Sequence, residues 1–396
     1  MEIKATAWAL CPSRFFVSIS VMIKNTPEAI WEKFQKGVFI IAEGGKNFIQ
    51  TEEEKSVEEY LQNGMQLVDE AARAGADAIK FQTHNVEDEQ LNINVVSPHF
   101  KSGDRYRWVT RNTKATPLNE FWKPLKQYCD QKGIIFFSAA MSRGSAKILN
   151  DVGVNFWKIG SGDILDFVML DYMRKSGKPI ILSSGMSTLE EVEKAVKFLH
   201  EKNNRVALLH CVSKYPCPPE ELHLKTIEFY KERFDMPIGF SDHSIGIDSA
   251  LAAVTMGATI LEKHFSMSRT LWGADHKVSL TPQEFTDLVN GVREVQVNSA
   301  RRKEVLESDF VQKGMGNKAK VLQDSEAVFR PLFRKSLMAG QDIPEGTILT
   351  PDMVYAMRPQ QYAGGLSSEE YEKVLGKKTK KALKKYDPIT AEIIDL

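Results

Sequence analysis

The apolar and polar residues between positions 38 and about 300 follow one repeated rhythm. Short apolar runs alternate with longer stretches whose apolar residues recur at helical spacing. The strand candidates occupy residues 38–42, 77–81, 133–137, 156–160, 179–182, 206–209, 237–240 and 259–261. Because helical stretches lie between the strands, the pattern predicts a closed parallel (β/α)8 barrel of the TIM type. An open doubly wound sheet is the alternative, but no glycine-rich phosphate loop follows the first strand.

Several helix boundaries can also be read from the sequence. A helix is expected over residues 56–74, and Thr116 followed by Pro117 places an N-cap before a proline in the first turn. Two capping boxes are predicted, one from Ser187 to Glu190 and one that starts at Thr281.

Three segments depart from the barrel rhythm. Residues 83–116 form a long insertion that we expect to shape a site, because such loops lie on the upper face of a barrel. The barrel is therefore assigned to residues 38–300. The charged, non-periodic residues 301–330 predict a linker, and residues 331–396 predict a small β-rich domain.

The N-terminal residues 1–37 are interpreted as an extension of the barrel. An apolar stretch at 5–23 is interrupted by Pro12 and Arg14, so it does not predict a membrane-spanning helix. Its basic region is thin for a signal peptide, and Met22 is an alternative start.

The net charge bears on which macromolecules the protein binds, and the cysteine content bears on its cellular compartment. Lys+Arg and Asp+Glu are both 52, so no bulk field attracts the chain to nucleic acid or to an anionic membrane. The four cysteines have no zinc-ligand spacing and are too few for a disulfide framework, which favours a reducing cytoplasm.

Polar residues stand at the end of every predicted strand, where a barrel carries its catalytic groups. In chain order they are Glu43; Lys80 and Gln82; Ser138; Lys158, Ser161 and Asp163; Ser183 and Ser184; His210 and Ser213; Ser241, Asp242 and His243; Glu262 and His264. An uncompensated charge at the end of an apolar strand is costly, so Lys80 and Lys158 indicate a functional role. Together with the hydroxyl groups they suit a phosphate or a phosphate-carboxylate ligand.

His243 and His264 end neighbouring strands, so their imidazoles are expected to meet above the barrel. Two neutral imidazoles suit a borderline divalent ion such as Mn²⁺, Zn²⁺ or Co²⁺. An ordinary hydrogen-bonding role for each histidine is the alternative. His210 and its neighbour Cys211 are expected in the core rather than at the metal.

Seven motifs of the predicted barrel are distinctive: FIIAEGGKNF at 39–48, IKFQTHNVEDE at 79–89, FWKIGSGDI at 156–164, PIILSSGMSTLEEV at 179–192, ALLHCVSKYP at 207–216, IGFSDHSIG at 238–246 and ILEKHFSMSRTLWGADHKVSL at 260–280. They resemble the motifs of the sialic acid (N-acetylneuraminate) synthases and, equally, those of the legionaminic and pseudaminic acid synthases. Residues 336–359 and 374–389 are similar to the antifreeze-like (SAF, β-clip) domain of that family.

The resemblance implies a condensation of phosphoenolpyruvate (PEP) with an N-acyl amino sugar, such as N-acetylmannosamine. A divalent metal, Mn²⁺ or else Mg²⁺ or Co²⁺, is implied as the Lewis acid on the sugar carbonyl, with His243 and His264 as its ligands. A domain-swapped homodimer is also implied, in which Arg358 reaches the N-acyl group of the sugar in the partner's site.

The resemblance also assigns roles to the other site residues. The implied PEP ligands are Lys80, Lys158, Ser161, Ser183, Ser213 and Ser241. The residues implied to face the sugar or the attacking water are Glu43, Gln82, Asp163, Tyr215 and Asp275, and the candidate catalytic carboxylates are Glu43, Asp163 and Asp242.

The chain departs from the family pattern at several of these motifs. Phe48 stands where a histidine is usual, and Ala139-Ala140 where Thr-Pro is common. Ser213 replaces a common asparagine, and Asp163 a common glutamate, which shortens that side chain by one methylene. These changes bear on sugar choice and PEP affinity rather than on the lysine pair or the imidazole pair.

Two other functions are consistent with parts of this pattern. A metal-dependent aldolase or isomerase barrel would use the same histidines but has no need of two lysines and a serine set. A non-catalytic carbohydrate-binding or coat protein has no reason to keep the lysines and histidines together. Phosphate release that depends on PEP would distinguish the PEP condensation from an aldolase or isomerase. Stabilisation of the protein by metal and by PEP would distinguish it from a non-catalytic protein.

Overall fold

A closed eight-stranded parallel barrel forms the larger part of the chain in the computed structural model, which describes residues 26–93, 95, 104–202 and 204–394. The strands follow in chain order around the barrel, and β1 closes it by pairing with β8. They are β1 (Phe39–Gly45), β2 (Ala78–Thr83), β3 (Ile135–Ala140), β4 (Trp157–Ile159), β5 (Ile180–Ser183), β6 (Val206–Cys211), β7 (Ile238–Asp242) and β8 (Ile260–His264). The predicted strands and the barrel are confirmed, and the open sheet is excluded.

Helices cover the outside of the barrel and continue into the C-terminal part. They are α1 (Pro27–Lys36), α2 (Val57–Ala74), α3 (Val86–Glu89), α4 (Arg105–Ala115), α5 (Lys123–Lys132), α6 (Arg143–Val152), α7 (Phe167–Arg174), α8 (Leu189–His200), α9 (Thr226–Arg233), α10 (Asp248–Thr255), α11 (Pro282–Val297), α12 (Ser299–Glu307), α13 (Asp309–Gly314), α14 (Asp324–Ala327), α15 (Arg330–Phe333), α16 (Gln360–Ala363) and α17 (Tyr371–Val374). None of the helices in these described ranges is long and apolar enough to cross a membrane.

Local capping explains where two of the helices begin. The box predicted at Thr281 is present, with Glu284 as its reciprocal partner. The other box lies one residue later than predicted and joins Thr188 to Glu191. The prediction at Ser187 was wrong because that hydroxyl already bonds the Gly185 carbonyl and accepts from an arginine of the C-terminal part.

The first helix closes the bottom of the barrel. Phe34 of α1 packs edge-on against Phe39 at 5.0 Å and against Phe156 at 5.9 Å, in the apolar cluster that fills the barrel interior. Part of the predicted N-terminal extension is therefore built into the fold. The apolar stretch at 5–23 and Met22 lie outside the described residues.

Residues 301–330, predicted as a linker, contain ordered helices packed on the barrel. Val305 of α12 and Val311 of α13 are buried in the main core. The prediction of a featureless linker was wrong because a few apolar residues anchor an otherwise charged segment.

The C-terminal part contains a two-stranded antiparallel sheet of β9 (Ser336–Ala339) and β10 (Val354–Met357). Isolated bridges, such as those between Ile343 and Leu383, extend it into a compact β-rich unit. The unit docks on its own barrel, where Arg143 donates to the carbonyls of Pro351 and Val354 at 2.6 and 2.9 Å.

Candidate active site at the mouth of the barrel

One cavity opens at the carboxyl ends of the strands and contains all but one of the predicted site residues. Those that line it are Glu43, Lys80, Gln82, Lys158, Ser161, Asp163, Ser183, Ser213, Tyr215, Ser241, His243, His264, Asp275 and Arg358. The structure thus brings together side chains from strand ends, from loops and from the C-terminal unit.

Asp242 is the predicted catalytic residue that the structure places elsewhere. Successive side chains of a strand point to opposite faces, so Ser241 faces the cavity and Asp242 faces the helices outside. There the carboxylate accepts hydrogen bonds from Lys263 at 2.6 Å and from Ser249 at 2.7 Å. Its assignment as a catalytic group was wrong, because both oxygens are engaged behind the barrel wall.

The floor of the cavity carries buried lysines and carboxylates in alternation. Lys80 Nζ lies 2.7 Å from Glu43 Oε2 and 3.6 Å from Glu262 Oε1, while Lys158 Nζ lies 3.8 Å from Glu262 Oε2. Gln82 donates to Glu43 at 2.9 Å. Glu262 was noted at its strand end but not chosen as a site residue; its inward position follows from that of His264, two residues on.

The two carboxylates of this floor titrate in opposite directions. Burial raises the pKa of Glu43 above its ordinary value, and Lys80 offsets only part of that rise. Burial also acts to raise the pKa of Glu262, but Lys158 and Lys80 outweigh it and bring that pKa to about 2. Glu262 is therefore held ionised, whereas Glu43 is suited to exchange a proton.

Lys158 and the serines form a polar wall next to this floor. Lys158 Nζ donates to Ser183 Oγ at 2.7 Å, and Gly185 N donates to Ser161 Oγ at 3.1 Å. A Cβ on Gly185 would lie 2.3 Å from Ser213 Oγ and 2.6 Å from Ser161 Oγ, so only glycine allows these hydroxyls to approach. The wall offers ammonium and hydroxyl donors to an anion.

Glu326, from the segment predicted as a linker, holds two of the loops that carry this wall. Its Oε1 accepts from the backbone N–H groups of Met186 at 2.8 Å and of Ser213 at 2.7 Å. Arg330 and Arg334 donate to the Met186 carbonyl at 2.8 and 2.7 Å. Met186 has a left-handed φ of 53°, which these contacts stabilise. No feature of the sequence pattern indicates this buried carboxylate.

The two predicted metal-ligand histidines do meet in the cavity, with ring centroids 5.4 Å apart. In its neutral form His243 donates from Nδ1 to the Val212 carbonyl at 2.6 Å and keeps a lone pair on Nε2. Burial acts to lower the pKa of this ring, but Cys211 outweighs burial and the pKa is raised. His264 Nδ1 is buried without a hydrogen-bond partner. Burial lowers the pKa of His264 to about 3, so its ring is neutral. Tyr215 stacks on His243 at 4.0 Å.

These imidazoles fit a divalent ion that completes its coordination with substrate or water. A backbone hydrogen bond on one ring nitrogen is the usual way to orient the other toward a metal. Among the residues that the structure describes, no group of three or more His, Cys, Asp or Glu side chains is arranged to hold a metal. The protein would thus contribute the histidines and leave other positions open.

The C-terminal unit completes the opposite side of the cavity. Arg358 forms an ion pair with Asp163, and Lys335 Nζ lies 2.9 Å from the same carboxylate. In this structure Arg358 enters the cavity of its own chain, and its reach into a partner's site in a domain-swapped homodimer stays a prediction. The contact is made in cis because the C-terminal unit docks on its own barrel.

Several cavity residues were not chosen from the sequence. They are Lys46, His84, Arg105, Trp108, Cys211, Glu262, His276 and Phe333. Arg105, Trp108 and His84 belong to the insertion at 83–116, and His276 lies in the loop that follows β8. Cys211, expected in the core, is buried but borders the cavity.

The departures from the family pattern fall both inside and outside the cavity. Ala139 lines it, so this position offers the cavity no hydroxyl group. Phe48 is fully buried and packs on Phe121 at 4.8 Å and on Tyr60 at 6.2 Å. Its role is in the core rather than in the site.

Known families and proteins match nearly the whole chain. Residues 67–304 match the NeuB family and residues 334–394 the SAF domain. The chain is 31% identical to N-acetylneuraminate-9-phosphate synthase of Homo sapiens, covering 92% of this chain and 95% of that protein. It is 33% identical to N,N'-diacetyllegionaminic acid synthase of Campylobacter jejuni, covering 86% and 96%. The solved structure of spore coat polysaccharide biosynthesis protein SpsE from Bacillus subtilis aligns with a TM-score of 0.71 at 30% identity, covering 91% and 96%. This protein therefore belongs to the NeuB family of acid synthases, with a SAF domain at its C-terminal end.

Proposed function

We propose that this enzyme condenses PEP with the aldehyde form of an N-acyl amino sugar, giving a nine-carbon 2-keto acid and inorganic phosphate. The observation that carries the proposal is the convergence of Lys80 and Lys158 with His243 and His264 on one cavity. Relatives named as sialic and legionaminic acid synthases support the same reaction class.

The lysine side of the cavity is proposed to hold PEP. Lys158 with Ser161, Ser183 and Ser213 presents charged and hydroxyl donors that match the oxygens of a phosphate or carboxylate. Lys80 lies beside this wall with its charge already compensated by two carboxylates, so a bound anion would compete with them for one ammonium group.

His243 and His264 are proposed to hold a divalent metal, Mn²⁺ or else Mg²⁺ or Co²⁺. When bound there, the ion supplies Lewis acidity to the sugar carbonyl. Both imidazoles are buried, and the Tyr215 ring packs on His243.

The proposed reaction has three steps: formation of a carbon–carbon bond, addition of water and loss of phosphate. C3 of PEP forms a bond to the sugar aldehyde carbon, and the aldehyde oxygen takes a proton to become a hydroxyl. Water adds to C2 and loses its proton, for which Glu43 is suited by its raised pKa. The C2–O bond to phosphate then breaks, and the remaining C2 hydroxyl becomes the keto group.

A phosphate-release screen tests this function. The enzyme with Mn²⁺ is supplied with PEP and, in turn, N-acetylmannosamine, its 6-phosphate or a 2,4-diacetamido-6-deoxyhexose. We expect release only when PEP and one class of sugar are both present, with one 2-keto acid formed per phosphate. Lys158→Met should lose this activity, whereas the exposed Lys202→Met should retain it. Turnover without PEP would instead indicate an aldolase or isomerase.

A further inference from the structure

Lys46 contributes a charge to the cavity that the proposed chemistry does not use. It follows β1 and lines the site, with its ammonium 5.5 Å from the centroid of the Trp108 ring. Burial lowers the pKa of Lys46, and Asp275 counteracts this only in part. Among the described residues, Lys46 has no carboxylate within ion-pairing distance.

Arg105 adds a second such charge from the first turn of α4. Its Nε donates to Gln90 at 3.1 Å, and its guanidinium lies 4.6 Å from the centroid of the Phe333 ring. Burial and the neighbouring Arg358 lower the pKa of Arg105 to about 10, and the more distant Glu89 and Asp163 counteract this only in part. Within the part of the chain that the structure describes, no carboxylate forms an ion pair with it.

The other cationic side chains of the cavity are matched by acids. Lys80, Lys158 and Arg358 each have a carboxylate oxygen within ion-pairing distance. Lys46 and Arg105 do not, and the charge of Arg105 adds to the effect of burial in lowering the pKa of Lys46. The excess positive charge therefore lies on the side of the cavity formed by the insertion and the C-terminal unit.

Lys46 is partly buried and Arg105 is buried. Removing a cation from water without an ion-pair partner is costly, and such groups persist where a ligand supplies the charge. We propose that Lys46 and Arg105 form a subsite for a phosphate monoester on the sugar, at the end remote from its aldehyde. This inference rests on the proposed function, which places the aldehyde near His243 and His264 and PEP on the lysine side.

The chemistry of the two side chains favours phosphate over a single carboxylate. A guanidinium presents paired N–H donors that match two phosphate oxygens, and an ammonium adds a compact charge. Together they match the charge of a phosphate dianion. The enzyme should therefore use an N-acyl hexosamine 6-phosphate, and 6-deoxy sugars, which have no oxygen at that carbon, should be poor substrates.

Competition between two sugars tests the subsite. With PEP and Mn²⁺ held constant, kcat/KM is measured for N-acetylmannosamine 6-phosphate and for N-acetylmannosamine by formation of the 2-keto acid. We expect the phosphorylated sugar to be preferred by about 100-fold or more, as two charge-assisted contacts imply. Lys46→Met should reduce kcat/KM for the phosphorylated sugar by about tenfold or more, leaving the unphosphorylated sugar and the KM for PEP unchanged. Lys46→Arg should restore most of the preference.

Arg105→Met provides a second variant, and its melting temperature reports whether the buried position still folds. A wild-type preference for N-acetylmannosamine, for a 6-deoxy sugar or for a 6-carboxylate analogue would overturn the subsite while leaving the proposed function intact. An equal loss on both sugars in Lys46→Met would also overturn it. Absence of any PEP-dependent product with every sugar would instead reject the proposed function.

Discussion

Lys263 Nζ lies 2.6 Å from Asp242 Oδ2, and both side chains are fully buried between the strands of the barrel and the helices that surround them. Asp242→Asn should therefore reduce stability rather than chemistry. Breaking a buried ion pair by removing one partner costs about 3–5 kcal/mol, because the other charge is left uncompensated. Urea denaturation measures this loss, while kcat and the KM for PEP of the folded enzyme should stay within about threefold of wild type.

The paired replacement Asp242→Leu with Lys263→Met serves as the control for this prediction. It should lose less stability than Asp242→Asn, because neither charge remains buried. A large fall in kcat with unchanged stability would restore Asp242 as a catalytic candidate.

The affinity for PEP should fall at alkaline pH. Burial lowers the pKa of Lys158 below its ordinary value, so the ammonium loses its proton earlier than that of an exposed lysine. As the pH rises through that lowered pKa, the anion loses a cationic partner, and the Kd for PEP should increase by about tenfold per pH unit. Calorimetric titration between pH 7 and 10.5 measures the slope. Lys158→Arg should bind PEP more weakly, but its Kd for PEP should not change over this pH range, since guanidinium stays charged. The same pH dependence of Kd in the wild type and in Lys158→Arg would contradict the role of Lys158.

A divalent metal alone should stabilise the protein through the imidazole pair. Free Mn²⁺ at a hundredfold excess over its Kd adds about 2.7 kcal/mol to the native state, which raises the melting temperature. His243→Ala and His264→Ala should each abolish the shift, while His200→Ala, on an exposed face of α8, should retain it. A shift that persists in both site variants would place the metal elsewhere. Chelation should remove activity, and Mn²⁺ should restore it.

Each chain should possess a complete site, because Arg358 enters the cavity of its own barrel. Arg358→Ala should weaken sugar use while sparing PEP affinity. Chains carrying Arg358→Ala and chains carrying Lys158→Met can be unfolded together, refolded and assayed as a mixture. We expect no recovery of activity above the sum of the separate variants. Recovery toward a quarter of wild-type activity would indicate the domain-swapped homodimer that the family resemblance implies.

The barrel and most of its site could be predicted because their signals are local. Each strand is a short apolar run, and the rule that catalytic groups follow strand ends selected Lys80, Lys158, His243 and His264 correctly as cavity residues. Strand alternation could also have excluded Asp242, since it lies next to the inward-facing Ser241.

The remaining site residues depend on contacts between distant parts of the chain. Glu326 reaches the site from the segment 301–330, whose charged sequence predicts only a linker, and Phe333 reaches it from the start of the predicted β-rich domain. Their positions follow from packing on the barrel. Lys46 comes from the loop after β1 and Arg105 from the first turn of α4 within the long insertion, and the strand pattern does not indicate the direction of either side chain. The cis placement of Arg358 is equally non-local, because it depends on how the C-terminal unit docks.

The fate of the bridging oxygen of PEP tests the central claim most directly. PEP labelled with ¹⁸O between C2 and phosphorus is converted with its sugar, and the products are examined by mass spectrometry. Condensation with water addition at C2 breaks the C–O bond, so the label should leave in inorganic phosphate. Label retained in the organic product would show P–O cleavage and would contradict the proposed condensation.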